Sequence, residues 1–397
     1  MRKLIIAALA SIGCVAAFAQ TTSERVTSSS LSNNRITAIA QDSSGHIWLG
    51  TFRGLNRFDS HEYHQYFCSS DDNSGLPDNQ IKSLLSDKTG RLWVGTVNGI
   101  CRYRDDDSFD YIPIYGTKSN NVVQIMESRS GKILINTADA ISLYNSESGN
   151  FESRLAVYSN DWQYMNGAFI SPDDRLWVFG DRIYCYNIDN FRLELSIELS
   201  CGNPVSVCMG PDGKIWIYTD RGLSVLSTAE EKFVPLPSEI SSNTAFTDCF
   251  ITHIFLVNNS LLFATESGDY YSYNPGERSF ARQGDPDFPF DIPEFRLNAV
   301  FEDSEKNIWW CSYDQGYSIS YAYKDKFSNN VLNAVLGRKS VLSMDVCEER
   351  IYFSTLSDGI YDYDLSAGVL TRLQESNIIK RRNKQYISCL RAGKDGK

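Results

Sequence analysis

Apolar and polar positions alternate over very short distances along this chain. The run "RITAIAQ" (35–41) meets a polar turn at Asp42-Ser-Ser-Gly45, and "IWLGT" (47–51) then closes at Arg53-Gly54 before "LNRF". The same order returns at "DKTGRLWVGTVNGICRY" (87–103). Apolar runs of this length, bounded by Gly and Asp and rich in β-branched and aromatic residues, predict strands. No segment sustains a 3.6-residue apolar rhythm, so the chain reads as all-β. Asp can bond back to the chain in such a turn, and Gly can take positive φ. The second strand of each unit is apolar on both faces, which predicts burial from both sides.

The unit recurs along the whole chain. Its tryptophan position holds Trp48, Trp93, Leu134, Trp177, Trp216, Leu262, Trp309 and Tyr352, at spacings of 45, 41, 43, 39, 46, 47 and 43 residues. A period of about 40–47 residues is that of a four-stranded propeller blade. The large side chain is expected to fill the wedge that opens between blades away from the axis. Seven copies over residues 20–330 predict a seven-bladed β-propeller, closed by an N-terminal strand around Ser28–Ile36 lying near the last sheet. Copy eight, in 331–397, is expected to begin a second, incomplete propeller.

The pattern N-x-I-x-x-I-x-x-D-x-x-G-x-I-W-x-G-T-x-x-G-L-x-x-Y is matched closely at Asn34–Phe58 and Asn79–Tyr103 and more loosely in later copies. It resembles the two-component regulator propeller repeat of periplasmic regions of hybrid two-component sensors. In that family two seven-bladed propellers precede an immunoglobulin-like domain, a membrane helix, a histidine kinase, a receiver and a DNA-binding domain. The resemblance implies a non-catalytic ligand-sensing region that detects an oligosaccharide and signals to a kinase outside this segment. It also implies a homodimeric receptor whose membrane contact lies in the missing C-terminal part. The terminal "ISCLRAGKDGK" aligns with "ITAIAQDSSGH" of the first copy, so the chain stops on the first strand of a ninth unit. Such a strand is an unpaired apolar edge, and a fragment is expected. The rival readings are a secreted glycan lyase or hydrolase and a protein-interaction platform.

Charge and termini narrow the function classes. The formal net charge of −11 supplies no Lys/Arg stripe for a phosphate backbone, so no nucleic-acid contact is expected. Residues 1–19 read as a signal peptide: Arg2 and Lys3, an apolar run, then Ala17-Phe18-Ala19 as a small-x-small cleavage site. A periplasmic location follows. Cys14 follows Gly13, but Ser11 stands where a lipidation signal carries Leu. Ten cysteines include one in the signal, and none forms Cys-x-x-Cys. Cys101 and Cys185 sit at strand positions of the repeat, which suits small buried thiols rather than disulfides.

No constellation of catalytic or metal-ligating residues is apparent, and no cofactor is expected. The four histidines include His61-x-x-His64 on an outer strand, read as an exposed pair. The runs Asp71-Asp72 and Asp105–Asp107 read as solvated turns. The topology points elsewhere. With the first strand innermost, the turn between the second and third strands of every blade opens on one face, and just before its Gly or substitute it carries Arg53, Asn98, Asp139, Arg182, Arg221, Ser267 and Gln315. Polar turns need no special explanation, but such a ring also suits a hydroxyl-rich ligand. Trp162 is the one tryptophan away from the repeat position and its neighbour, and with Tyr164 it forms a candidate stacking platform on the same face. The Pro-rich loop "DPDFPFDIPEF" (285–295) is expected to contact a second propeller.

Overall fold

Each copy of the repeat folds into an antiparallel sheet of four strands, a to d, which follow one another in chain order except in sheet seven, whose outer strand comes from near the N-terminus. Sheet three adds a fifth strand, Ile114–Tyr115, parallel to Asn150–Ala156. In sheet one, strands a to d are Ile36–Gln41, Ile47–Thr51, Gly54–Phe58 and Tyr63–Tyr66. The computed structural model describes residues 24–26, 31–60, 62–68, 75–137, 139–156, 167–180, 182–199, 202–322, 341–347, 350–355, 359–364 and 369–373. Among them, residues 21–322 form one compact unit holding seven such sheets. Strand a is Ile81–Ser86 in sheet two, Val122–Glu127 in three, Ala168–Ile170 in four, Pro204–Met209 in five, Ile251–Val257 in six and Leu297–Glu302 in seven. An eighth sheet, Val341–Cys347, Arg350–Thr355, Gly359–Asp364 and Val369–Arg372, belongs to the other unit. The signal segment 1–19, Cys14, His61 and Asp71-Asp72 lie outside the described residues.

One register runs through all eight sheets. The repeat tryptophan or its substitute stands opposite Ala40, Leu85, Met126, Phe169, Cys208, Phe255, Phe301 and Asp345 in turn. Strand a carries a bulge at its second residue in every sheet but the fourth, as between Ile36 and Ala38. The core is divided among seven clusters, each lying between one sheet and the next. Trp48 packs on Ile81 and Val94 of sheet two, Trp93 on Val122 and Ile135 of three, Leu134 on Leu176 of four, and Trp177 on Ile217 of five. Trp216 packs on Phe263 of sheet six, Leu262 on Trp310 of seven, and Trp309 on Ile36 and Leu49 of sheet one, so the order is cyclic. The glycine of "GT" serves this packing. A Cβ on Gly50 would lie 2.5 Å from Ile81 Cγ2, and one on Gly95 2.7 Å from Val122 Cγ1.

The ring closes further upstream than expected. Glu24–Val26, rather than a strand around Ser28–Ile36, pairs antiparallel with Tyr317–Ile319 as the outer strand of sheet seven. Residues 31–35 are already engaged at that point. Leu31 is buried, Ser32 N bonds Asn56 Oδ1 (2.8 Å), and Asn34 O accepts from Gly316 N (2.9 Å). In the loop 285–295, Phe290, Ile292 and Phe295 pack inward against Tyr270 and Trp310. Six cysteines among the described residues are free, with Cys101, Cys185 and Cys311 buried.

A buried indole needs an acceptor for its N–H. The turn carboxylate supplies it: Trp48 Nε1 donates to Asp42 (2.7 Å), Trp93 Nε1 to Asp87 (2.8 Å) and Trp309 Nε1 to Asp303 (2.9 Å). Ser171 takes the role for Trp177 at 3.2 Å. Sheet five has Gly210 at that position, and the buried Trp216 Nε1 has no partner. Trp93→Phe is therefore expected to cost about 1–2 kcal/mol more than Trp216→Phe, since the loss of ring size is common to both and only the first breaks a bond to a charged acceptor. Parallel urea titrations measure the difference, and equal losses would overturn it.

Asp87 also titrates far from the ordinary range. Burial pushes its pKa up, but hydrogen bonds from Thr89, Trp93 and Arg91 outweigh this and bring it down to about 2. A depressed carboxyl stabilises the fold above its unfolded pKa of roughly 4, and that contribution disappears as pH falls through about 2. Asp87→Asn should thus be less stable than wild type at neutral pH, with the gap narrowing between about pH 4 and pH 2. Thermal unfolding across that range tests it, and a gap independent of pH would refute the assignment.

Candidate functional site

The turn from strand b to strand c is built the same way in sheets one, two and five. A buried Thr closes it: Thr51 Oγ1 donates to Gly54 O (2.7 Å) and accepts from Arg53 N (3.1 Å). Thr96 and Thr219 repeat both bonds with Gly99 and Asn98, and with Gly222 and Arg221. In sheet seven Ser312 Oγ accepts from Asp314 N and Gln315 N. The residue after this Thr or Ser donates its N–H to the residue just before strand a of the same sheet. The pairs are Phe52 with Arg35, Val97 with Gln80, Asp220 with Asn203, Glu266 with Phe250 and Tyr313 with Arg296, at 2.9–3.2 Å. Antiparallel order puts all these turns on one rim of the ring.

The expected polar positions occupy that rim but divide into two kinds. Arg53, Asn98 and Arg221 are exposed, and their side chains make no bond among the described residues. The others are engaged in their own surroundings. The Asp139 carboxylate accepts from Lys118 N (2.7 Å) and Ser119 N (3.2 Å), Arg182 Nε donates to Ser196 Oγ (2.8 Å), and the Ser267 hydroxyl donates to Asp269 (2.8 Å). Gln315 is half-buried, with its backbone N–H held by Ser312. Trp162 and Tyr164 lie outside the described residues. What the residue pattern missed is the aromatic that follows the turn Thr or Ser. Phe52 and Tyr313 are 44% and 45% exposed, and the Arg35 guanidinium carbon lies 4.9 Å and 4.0 Å from their ring centroids. The signal was in the sequence: most other copies place Val97, Asp220 or Glu266 there.

Two other features bear on chemistry. The Asp105–Asp107 run is not simply solvated, because Asp107 accepts from Arg57 (2.8 Å), Tyr66 (2.7 Å) and Tyr103 (2.7 Å), tying strands c and d of sheet one to strand c of sheet two. The Tyr103 and Tyr66 hydroxyls, with Arg57, hold the Asp107 carboxyl below its usual range. On the opposite rim, sheet six and the loop 285–295 enclose a cavity of about 210 Å³ edged by Asn258, Ser272, Asn274, Ser279, Asp287 and Phe290. His253 is on strand a of sheet six, whereas His46 and His64 belong to sheet one. Burial lowers the His253 pKa, and its Nδ1 has no partner.

Comparison with known proteins places this arrangement. The sequence matches the two component regulator propeller family over residues 30–53 and 75–98, which are the first two copies. A search of the curated proteins gives no match. A solved structure described as the extracellular domain of the hybrid two component system BT3049 from B. thetaiotaomicron shares 20% identity and a TM-score of 0.58. It aligns with 94% of this chain, which spans 51% of its length. Streptogramin B lyase is similar at 14% identity and a TM-score of 0.56, over 75% of this chain and 97% of that one. Virginiamycin B lyase from Staphylococcus aureus is similar at 14% identity and a TM-score of 0.55, again over 75% and 97%. At these identities the likeness is one of fold. Residues 30–53 and 75–98 thus match the two component regulator propeller model, in a chain whose propeller fold is similar to that of the extracellular domain of a hybrid two component system.

Proposed function

We propose that this chain is the ligand-sensing region of a hybrid two-component sensor. Residues 1–19 export it to the periplasm, and its ligand is an oligosaccharide bound on the rim that carries the b–c turns. Its state passes across the membrane to a histidine kinase outside this segment. Residues 331–397 begin a second propeller, and the receptor is a homodimer. The observation that carries this reading is the occurrence of the regulator propeller repeats in a closed ring of sheets. Exposed Arg53, Asn98 and Arg221 supply donors and acceptors, and Trp162 with Tyr164 a stacking surface. Among the described residues no helix is long and apolar enough to cross a membrane.

The lyase-like folds do not carry a rival function, since a shared propeller leaves the chemistry to its sites. Calorimetry of the full chain against an oligosaccharide panel, with chromatography of the same mixtures, tests the proposal. Binding without new products is expected, and Trp162→Ala should weaken it at least about tenfold, in line with the loss of roughly 1.4 kcal/mol. Release of shortened or unsaturated products would establish an enzyme instead. Absence of binding across the panel would favour a protein-interaction platform.

A further inference from the structure

The seam where sheet seven meets sheet one carries charge that the fold does not use. Arg35 stands just before strand a of sheet one, and its loop is fixed to both sheets. Its carbonyl accepts from Phe52 N (3.0 Å), its own N–H donates to Asn33 Oδ1 (2.9 Å), and Asn34 O accepts from Gly316 N of sheet seven (2.9 Å). The guanidinium lies over both Phe52 and Tyr313, one ring from each sheet. Its Nε is buried and has no hydrogen-bond partner. Lys82, the second residue of strand a in sheet two, is half-buried, and its pKa is lowered by burial and then by the charge of Arg35. Neither cation has an ion-pair partner among the described residues. Asp314, in the turn of Tyr313, is bonded to the Ser312 hydroxyl (3.3 Å).

Two partly buried like charges within each other's field work against folding, and burial without a counter-charge adds to the penalty. This occurs in a chain with 49 acidic and 38 basic residues, where carboxylates are the commoner side chains. Across the repeats the position of Lys82 holds Thr37, Val123, Val205, Thr252 or Asn298, so the scaffold itself asks for no cation there. An anion resolves the imbalance. A guanidinium held over aromatic rings has a planar fork of N–H donors, the geometry that carboxylates and sulfates take in two parallel bonds. The exposed parts of Phe52 and Tyr313 offer apolar faces to a ring attached to that anion.

We propose that the seam binds the carboxylate or sulfate group of an acidic saccharide, with Arg35 as the forked partner, Lys82 as the second cation, and Phe52 and Tyr313 as platforms for the sugar ring. The ligand class rests on the saccharide-sensing reading above, whereas the anion site stands on Arg35, with its two rings and unpartnered Nε, and Lys82 enters through the field it shares with Arg35. A neutral sugar would leave both charges unanswered, which sets the discrimination.

Calorimetry on the full chain can separate the two layers, using trigalacturonate, a sulfated chondroitin disaccharide, neutral maltotriose and free glucuronate as probes. One or both acidic saccharides should bind at least about tenfold tighter than maltotriose, and rising salt should weaken only the acidic ones. Arg35→Gln and Lys82→Gln should each cost the acidic probe about tenfold or more and leave maltotriose unchanged. Arg35→Lys, which keeps the charge and loses the fork, should fall between. Thermal unfolding of each variant confirms its fold, and Lys82→Gln carries the test if Arg35→Gln does not fold. Neutral binding equal to acidic binding, or variants that hold the acidic probe like wild type, overturns the anion site and leaves the saccharide reading intact. Glucuronate binding that Arg35→Gln abolishes, with no oligosaccharide bound, upholds the anion site and removes the saccharide reading. Silence from all four probes overturns both.

Discussion

The bond from a buried indole to a turn carboxylate six residues earlier is the contact on which this architecture turns. The tryptophan sits on strand b, yet its ring lies against the following sheet, so its environment belongs to the interface between repeats. Without an acceptor its N–H would be a desolvated donor in an apolar cluster. The Asp that ends strand a supplies the acceptor and, through the same carboxylate, takes the backbone N–H groups of its own turn, as Asp87 does for Thr89 and Arg91. Local turn geometry and long-range packing are thereby coupled in one residue. The series is not uniform: sheet four uses Ser171, sheets three and six carry Leu134 and Leu262 instead of an indole, and in sheet five Gly210 leaves Trp216 Nε1 without an acceptor.

Repeats of this kind stabilise one another through nearest-neighbour interfaces, and a closed ring of seven sheets has seven of them. Six join segments that follow each other in sequence. The seventh is different, because it brings residues near the start of the chain against residues some three hundred positions later. Several bonds fasten it besides the Glu24–Val26 strand: Asn298 Nδ2 to Ile36 O (2.6 Å), Ser304 N to Gln41 Oε1 (2.7 Å), and the hydroxyls of Tyr63 and Tyr317 to each other. Closure entropy grows slowly with loop length, so a few well-made bonds and one apolar cluster suffice to hold the ring shut.

Much of this was legible in the residues. The repeat period, the Asp-x-x-Gly turn, the strand boundaries and the buried tryptophans follow from patterns that each copy restates, and repetition averages out local ambiguity. The reading that polar b–c turn positions share one rim also followed from strand order alone. What escaped was whatever depends on closure. The upstream position of the last strand was hidden because Leu31 through Arg35 are taken up by the connection into sheet one, which no local pattern reveals. The stacking of Arg35 on Tyr313 joins residues 278 positions apart by numbering, and no spacing rule reaches that far. Asp107 was hidden for a related reason: a run of three acids looks solvated until the tyrosines of two neighbouring sheets are seen to converge on it.

The positions that depart from the repeat are therefore the informative ones. Where a residue recurs in copy after copy, as the turn Thr does, a structural duty explains it. Phe52, Tyr313 and Arg35 depart from what most other copies carry and meet at the interface that closes the ring, with Lys82 of the neighbouring sheet two within the field of Arg35. Scaffold rigidity makes such a gathering useful, because groups on tightly bonded turns hold their spacing without a ligand. An anion taken up between Arg35 and Lys82 would relieve repulsion at the seam and would bind the closed ring better than an opened one. By linkage, any ligand that prefers the closed ring must stabilise closure to the same extent. If the seam takes up its anion, binding energy and ring integrity there become the same quantity.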